Sequence, residues 1–267
     1  MNELAVASSE TEIESLLRVR VRLVEFHVAH HCNLTCQGCS HFSPSAPARL
    51  IPTEEVVNQF RLAGDRLDPE CIHLLGGEPL LHPNLKSILP WARRSFPKAT
   101  IKLVTNGVLL KRRAKELMPV VTAAGIVIAV SIYPGVAVDR EGITEACRAA
   151  RAKVEFWVQD TFIDFLDLTG TSDPVAARAA CPMDDALNVR GDRLYPCPVT
   201  AWSDFGGAAQ SPSDGVSLLD SAAAIAAVLD RGRGTSKCHY CRPIPLRRPH
   251  RMGNRTPFLA AASRHDA

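Results

Sequence analysis

The sequence predicts an α/β protein built of repeated βα units around a parallel sheet, with a small cysteine-bearing subdomain behind it. Two observations carry this reading. Short apolar runs rich in Val, Ile and Leu alternate with amphipathic stretches from Arg22 to Gln159. The cysteines fall into an early and a late cluster, on either side of most of those runs. At 267 residues, 46% apolar and 22% charged, the chain has the composition of an ordinary globular protein with a sizeable core.

Taken in order, strands are expected at 23–29, 71–75, 100–105, 126–132 and 154–158. Helices are expected between them at 53–67, 85–96, 111–124 and 140–152. The first helix carries Glu54 and Glu55 in its opening turn, where the helix dipole favours acids. After Gln159 the alternation gives way to scattered Gly, Pro, Ser and Asp, interrupted by an alanine-rich helix near 221–229. The expected organisation is an N-terminal extension (1–21), a core (22–160), a second small subdomain (161–241) and a basic tail (242–267). The net charge of +3 belongs to that tail, where six arginines face one acid. It reads as a solvated terminus, with contact to a phosphate or carboxylate as the alternative.

No run approaches the eighteen apolar residues of a membrane span, and the first twenty residues mix acids with apolar side chains. A cytoplasmic protein without a membrane partner is expected. Nine cysteines in such a chain point to metal ligation before disulfides, with Cys71 and Cys147 left over as small core residues. Aromatic residues make up 6%, and no basic patch interleaves with them in the core, so a nucleic-acid partner is not indicated.

Cys32, Cys36 and Cys39 follow directly on the first strand, on a loop at the C-terminal edge of the sheet, the functional edge of parallel βα folds. Three thiolates within eight residues can hold three irons of a cubane and leave the fourth open. With a fourth ligand such as His41 they can equally hold zinc, and the spacing alone does not decide. Two further motifs follow in order: Gly76-Gly77-Glu78-Pro79 after the second strand and Thr105-Asn106-Gly107 after the third.

Together these three motifs, over residues 22–159, resemble the radical S-adenosylmethionine (SAM) superfamily. The resemblance implies a partial (β/α)6 TIM-like barrel. It implies a [4Fe-4S] cluster on Cys32, Cys36 and Cys39 whose remaining iron is chelated by SAM. Gly76, Gly77 and Glu78 would line the methionine part of SAM, and Asn106 and Ser131 would face its ribose. The family usually places a bulky residue before the third cysteine. Here that position is Gly38, and Phe42 is the candidate to serve the adenine instead.

Cys181, Cys197, Cys238 and Cys241 supply four more thiolates, which suit a structural zinc or a fully ligated cluster. Behind a radical SAM core they resemble the twitch subdomain, a shortened SPASM domain holding one auxiliary [4Fe-4S] cluster. The spacing of all seven cysteines is similar to that of 2-deoxy-scyllo-inosamine dehydrogenases, and the early loop also resembles nucleoside-sugar radical SAM decarboxylases.

The resemblance implies reductive cleavage of SAM to a 5′-deoxyadenosyl radical that takes hydrogen from a small polar substrate: a sugar, cyclitol or nucleoside. Dehydrogenation in specialised (antibiotic-type) metabolite biosynthesis is the expectation. Decarboxylation or epimerisation of a sugar-nucleoside, peptide modification, and a non-enzymatic zinc-dependent binding protein are the alternatives. The electron donor would be a flavodoxin or ferredoxin. His41, Glu78 and Tyr133 should lie on the catalytic edge. Arg242 could approach an anionic group, and His30 and His31 could tune the cluster.

Overall fold

The computed structural model describes residues 18–252, except 168, 184 and 185. The first seventeen residues of the N-terminal extension and residues 253–267 of the basic tail lie outside the described residues.

Five strands run in chain order across a parallel sheet: β1 (Val19–Ala29), β2 (Leu67–Gly76), β3 (Thr100–Thr105), β4 (Val127–Ile132) and β5 (Lys153–Val158). Between them lie α1 (Thr53–Arg66), α2 (Leu85–Ser95), α3 (Leu110–Ala123) and α4 (Arg140–Ala149), close to the expected spans. The fold is the mixed α/β, partial TIM-like barrel that the motifs imply.

Strand periodicity separates two faces. On the outer face Val24, Phe26 and Val28 of β1, Ile72 and Leu74 of β2, Ile101 and Leu103 of β3 and Ile128 and Val130 of β4 are buried. They pack with Val56 and Phe60 of α1, Ile88 and Leu89 of α2, Leu117 and Val121 of α3 and Ile143 of α4 in one core. Each such side chain contributes about 1.5–3 kcal/mol on leaving water. Cys147 belongs to this core, its Sγ 4.0 Å from Met118 Sδ.

The inner face is different in kind. Alternate positions along the same strands carry Glu25 and His27, Cys71 and His73, Lys102, Ser131, and Glu155 and Trp157. Strands covered on both sides usually read as continuous apolar runs, so polar residues on one face mark a surface with another use. Cys71, expected in the apolar core, lies on this face and is half-buried.

The sheet does not end where the sequence reading placed the core boundary. β6 (Thr161–Leu166) leaves it, and after α5 (Pro174–Ala179) the chain returns as β7 (Ala186–Arg190), which pairs in parallel with β1 on the side opposite β2. β8 (Arg193–Tyr195) and β9 (Val216–Ser217) extend that edge antiparallel. The segment 161–241 therefore contributes a strand to the core sheet itself. The start shifts too, since β1 takes in residues 19–21 of the expected extension.

The remaining α-helices and strand are α6 (Pro198–Trp202), α7 (Ala222–Ala227) and β10 (Cys241–Pro249). β10 pairs antiparallel with β6, so residues 242–249 form a strand rather than a solvated tail. Arg242 donates to Leu166 O at 3.0 Å, and Arg248 pairs with Asp164 at 2.7 Å, so both are committed within this ribbon. Among the described residues no helix is long and apolar enough to cross a membrane.

Candidate active site

A cavity of about 380 Å³ opens at the C-terminal ends of β1 to β5. Cys32, Cys36 and Cys39 line one end, Gly76, Gly77, Asn106 and Ser131 its sides, and Glu25, His41, His73 and Trp157 its floor.

The triad loop is built to hold sulfur. Leu34 N donates to Cys32 Sγ at 3.4 Å, and Cys39 lies among the backbone N–H groups of His41, Phe42 and Ser43. Burial pushes the Cys32 and Cys36 thiols up to about 12 and raises that of Cys39. Thiols in that state ionise only where a bound cation offsets burial, which is the chemistry of metal ligands. Three sulfurs spread along a cavity wall fit a multi-iron cluster in number and chemistry.

The glycine pair is explained by backbone packing. A Cβ on Gly76, at φ +140°, would stand 2.0 Å from Ala29 O; one on Gly77 would stand 2.0 Å from His31 O and 2.6 Å from Cys32 N. The end of β2 thus lies main chain to main chain against the cysteine loop, fixed by Gly77 N to Ala29 O (2.8 Å) and Glu78 N to His31 O (3.1 Å).

Glu78 is fully buried and is not on the cavity wall. Its carboxylate accepts from Thr105 Oγ1 (2.6 Å), Asn106 N (2.9 Å) and Leu80 N (3.0 Å), tying the second motif to the third. Burial pushes it up to about 7, against the pull of those hydrogen bonds. Asn106 does reach the cavity, and its Nδ2 donates to Asn33 Oδ1 at 2.7 Å beside Cys32. Tyr133 lines the cavity near the triad, with the His250 ring stacked at 4.8 Å. Backbone pairing of Gln37 N with Arg251 O (3.0 Å) brings residues 250–252 over the triad loop.

The floor was not anticipated beyond His41. Glu25 and His73 are direct neighbours across β1 and β2, with Oε1 to Nδ1 at 3.4 Å. Asn188 of β7 donates to Glu25 Oε2 at 3.1 Å, and His41 Nε2 stands 3.6 Å from the same oxygen. His41 Nδ1 meets His27 Nε2 at 2.8 Å, and His27 stacks on Trp202 with centroids 3.8 Å apart. Trp202 Nε1 in turn donates to Asn188 Oδ1 at 2.8 Å.

Burial lowers His27 and His41 and takes His30 down to about 4, so these three rings are neutral. Burial would lower His73 as well, but its hydrogen bonds to Cys71 and Glu25 raise it to about 9. Burial would raise Glu25, yet the hydrogen bond and charge of His73 and the hydrogen bond of Asn188 hold it below the usual carboxylate range. The floor is therefore one buried Glu25–His73 ion pair set among neutral rings. His30 belongs to this histidine chain, its Nδ1 3.4 Å from that of His27, while His31 Nδ1 is buried without a hydrogen-bond partner among the described residues.

The four late cysteines meet around a small pocket of about 10 Å³. Among the described residues each sulfur but that of Cys241 has a backbone donor: Met183 N to Cys181, Thr200 N to Cys197 (both 3.4 Å) and Thr235 N to Cys238 (3.3 Å). Thr200 Oγ1 lies 3.1 Å from Cys197 Sγ, and Thr235 Oγ1 lies 3.3 Å from Cys238 Sγ. Burial pushes Cys197 up to about 12 and raises Cys241. Four thiols in this setting suit either zinc or a fully ligated cluster. Phe42, expected at the adenine, packs away from the cavity, at φ +53°, in a second core with Cys238, Cys241 and Trp202. It joins the triad loop to the late-cysteine pocket.

Fold and site together present a partial barrel with three thiols, a glycine-backed strand end and a cavity at the C-terminal edge of the sheet. Residues 27–157, just under half of the chain, match the Radical SAM superfamily, and this region carries a Radical SAM domain. Such a domain implies SAM and a [4Fe-4S] cluster. The chain is 31% identical over 96 residues to the antilisterial bacteriocin subtilosin biosynthesis protein AlbA of Bacillus subtilis, covering 35% of this chain and 20% of that protein. It is 31% identical over 100 residues to the GTP 3′,8-cyclase of Aquifex aeolicus, covering 36% of this chain and 31% of the cyclase. The matches thus span a third or less of these relatives. Among solved structures, BtrN in complex with AdoMet and 2-DOIA superposes with a TM-score of 0.49 at 19% identity, over 81% of this chain and 85% of that one.

Proposed function

We propose that this chain is a radical SAM dehydrogenase acting on a small polar substrate, a sugar, cyclitol or nucleoside, with an auxiliary [4Fe-4S] cluster on Cys181, Cys197, Cys238 and Cys241 as electron acceptor. One observation carries the reading. Met183 lines the substrate-sized cavity, packs in the core that holds Cys238 and Cys241, and donates its backbone N–H to Cys181 Sγ. A single residue thus touches both the cavity and the second set of thiols.

In this reading Cys32, Cys36 and Cys39 would hold the first cluster, while Gly76, Gly77, Asn106 and Ser131 would receive SAM. When bound, the two would supply radical hydrogen-abstraction chemistry, with a flavodoxin- or ferredoxin-type protein as electron donor. The protein's own work is to seat the substrate on the cavity floor and to keep solvent out, with Tyr133 and residues 250–252 covering the triad end. Glu78 serves as a buried brace between the SAM-binding motifs rather than as an acid or base.

The test is direct. Anaerobically reconstituted protein, given SAM and dithionite, should form 5′-deoxyadenosine, and Cys36→Ala should form none. Absence of 5′-deoxyadenosine from fully reconstituted wild-type protein would overturn the reading.

A further inference from the structure

Carrying charge in a barrel floor is costly. A buried ion pair gains little over apolar residues of the same volume, because desolvation of both ions offsets their attraction. Here a fold with an otherwise complete apolar outer core commits Glu25, His73, Asn188 and His41 to one polar floor, and Glu25, His41 and His73 all line the cavity. Each of the three retains some exposure there, with 7% of the Glu25 side chain, 13% of His41 and 15% of His73 accessible. Their exposed edges are what an occupant of the cavity meets.

The chemistry of that edge is specific. Glu25 offers carboxylate lone pairs, and His73 and His41 offer imidazole nitrogens. No lysine or arginine lines the cavity among the described residues, and Lys102, whose Nζ stands 5.0 Å from the Trp157 ring centroid, is paired with Glu155 at 2.8 Å, whereas phosphates are taken by unpaired groups of that kind. Beside this polar edge lies Trp157, its ring centroid 5.7 Å from that of His73, offering apolar surface next to hydrogen-bonding groups. Hydroxyls answer the first and a C–H face the second.

We infer that Glu25, His41, His73 and Trp157 form the substrate-binding floor and that they select a neutral polyhydroxylated ring, a sugar or cyclitol without a phosphate. Adjacent hydroxyls donate to Glu25 and accept from the imidazoles, and the ring's C–H face lies against Trp157. This rests on the cavity being the radical SAM active site and goes further by naming the groups that recognise the substrate and the charge it lacks.

The experiment uses the full chain, reconstituted anaerobically with SAM, and titrates myo-inositol as the probe, with cyclohexanol and myo-inositol 1-phosphate as controls. Binding is read by calorimetry, and 5′-deoxyadenosine formation is followed in the same samples. Expected is saturable binding of myo-inositol at least tenfold tighter than of either control. Trp157→Ala should weaken it at least tenfold while iron content and SAM binding stay unchanged, and Glu25→Gln should do the same. Should Glu25→Gln fail to fold, Trp157→Ala and His73→Gln carry the test. If myo-inositol binds no better than the controls, or if folded variants bind it like the wild type, the inference is overturned. Failure of the underlying reading looks different, because then no 5′-deoxyadenosine forms with or without the probe.

Discussion

Glu78 and Thr105 meet at 2.6 Å, carboxylate to hydroxyl, at the point where the ends of two neighbouring strands converge on the cavity. With Asn106 N and Leu80 N also donating, three donors of the fold engage this buried carboxylate. Glu78→Gln replaces an acceptor oxygen with an amide that faces donors, and should lower stability by about 1–3 kcal/mol. Thermal unfolding checks this. A variant with unchanged unfolding temperature but no SAM cleavage would restore Glu78 to a chemical role.

Gly77→Ala would drive a Cβ into the carbonyl of His31 and the amide of Cys32. Both contacts are backbone, so relief requires moving the triad loop. The expected result is loss of the first cluster alone, with iron falling by about half on reconstitution if the second site is also iron–sulfur, and loss of 5′-deoxyadenosine formation. Iron analysis on folded protein checks it.

The Glu25–His73 pair makes stability depend on pH in a defined window. His73 is raised from 6.5 to about 9, so its contribution is fully present below pH 6.5 and is lost as pH rises through 9. Glu25→Gln removes the carboxylate's share of that shift, while the contact with Cys71 remains. The difference in unfolding free energy between wild type and Glu25→Gln should therefore shrink between pH 6.5 and 9. Paired denaturant titrations across that range measure it, and a difference independent of pH would contradict the ion pair.

How much of this was legible beforehand follows from how local each feature is. The first five strands and four helices were readable because each is a continuous stretch with its own period, and the triad because its ligands share one loop. β7 was not, since Ala186–Arg190 is short and irregular in context and becomes a core strand only by docking beside β1. Glu25 and His27 did leave a trace, as polar residues at alternate positions in an otherwise apolar strand. Their partners come from β2, β7 and α6, so the network exists only after folding. Phe42 sits near the triad in sequence, yet its positive φ turns it toward the late cysteines.

Thr200 and Thr235 bring hydroxyls to Cys197 and Cys238. Hydrogen bonds to ligand sulfur stabilise the reduced state of a cluster. Thr200→Val should therefore shift the reduction potential of the proposed second cluster to more negative values without loss of iron. Redox titration followed by electron paramagnetic resonance reads the shift directly.

The central claim is that two clusters flank one substrate cavity. The measurement that tests it most directly is iron, acid-labile sulfide and zinc per chain after anaerobic reconstitution, in wild type and in Cys238→Ala. The account predicts about eight irons and eight sulfides in the wild type and about four of each in the variant, as two [4Fe-4S] sites require. About four irons in both proteins, with one zinc in the wild type, would contradict it.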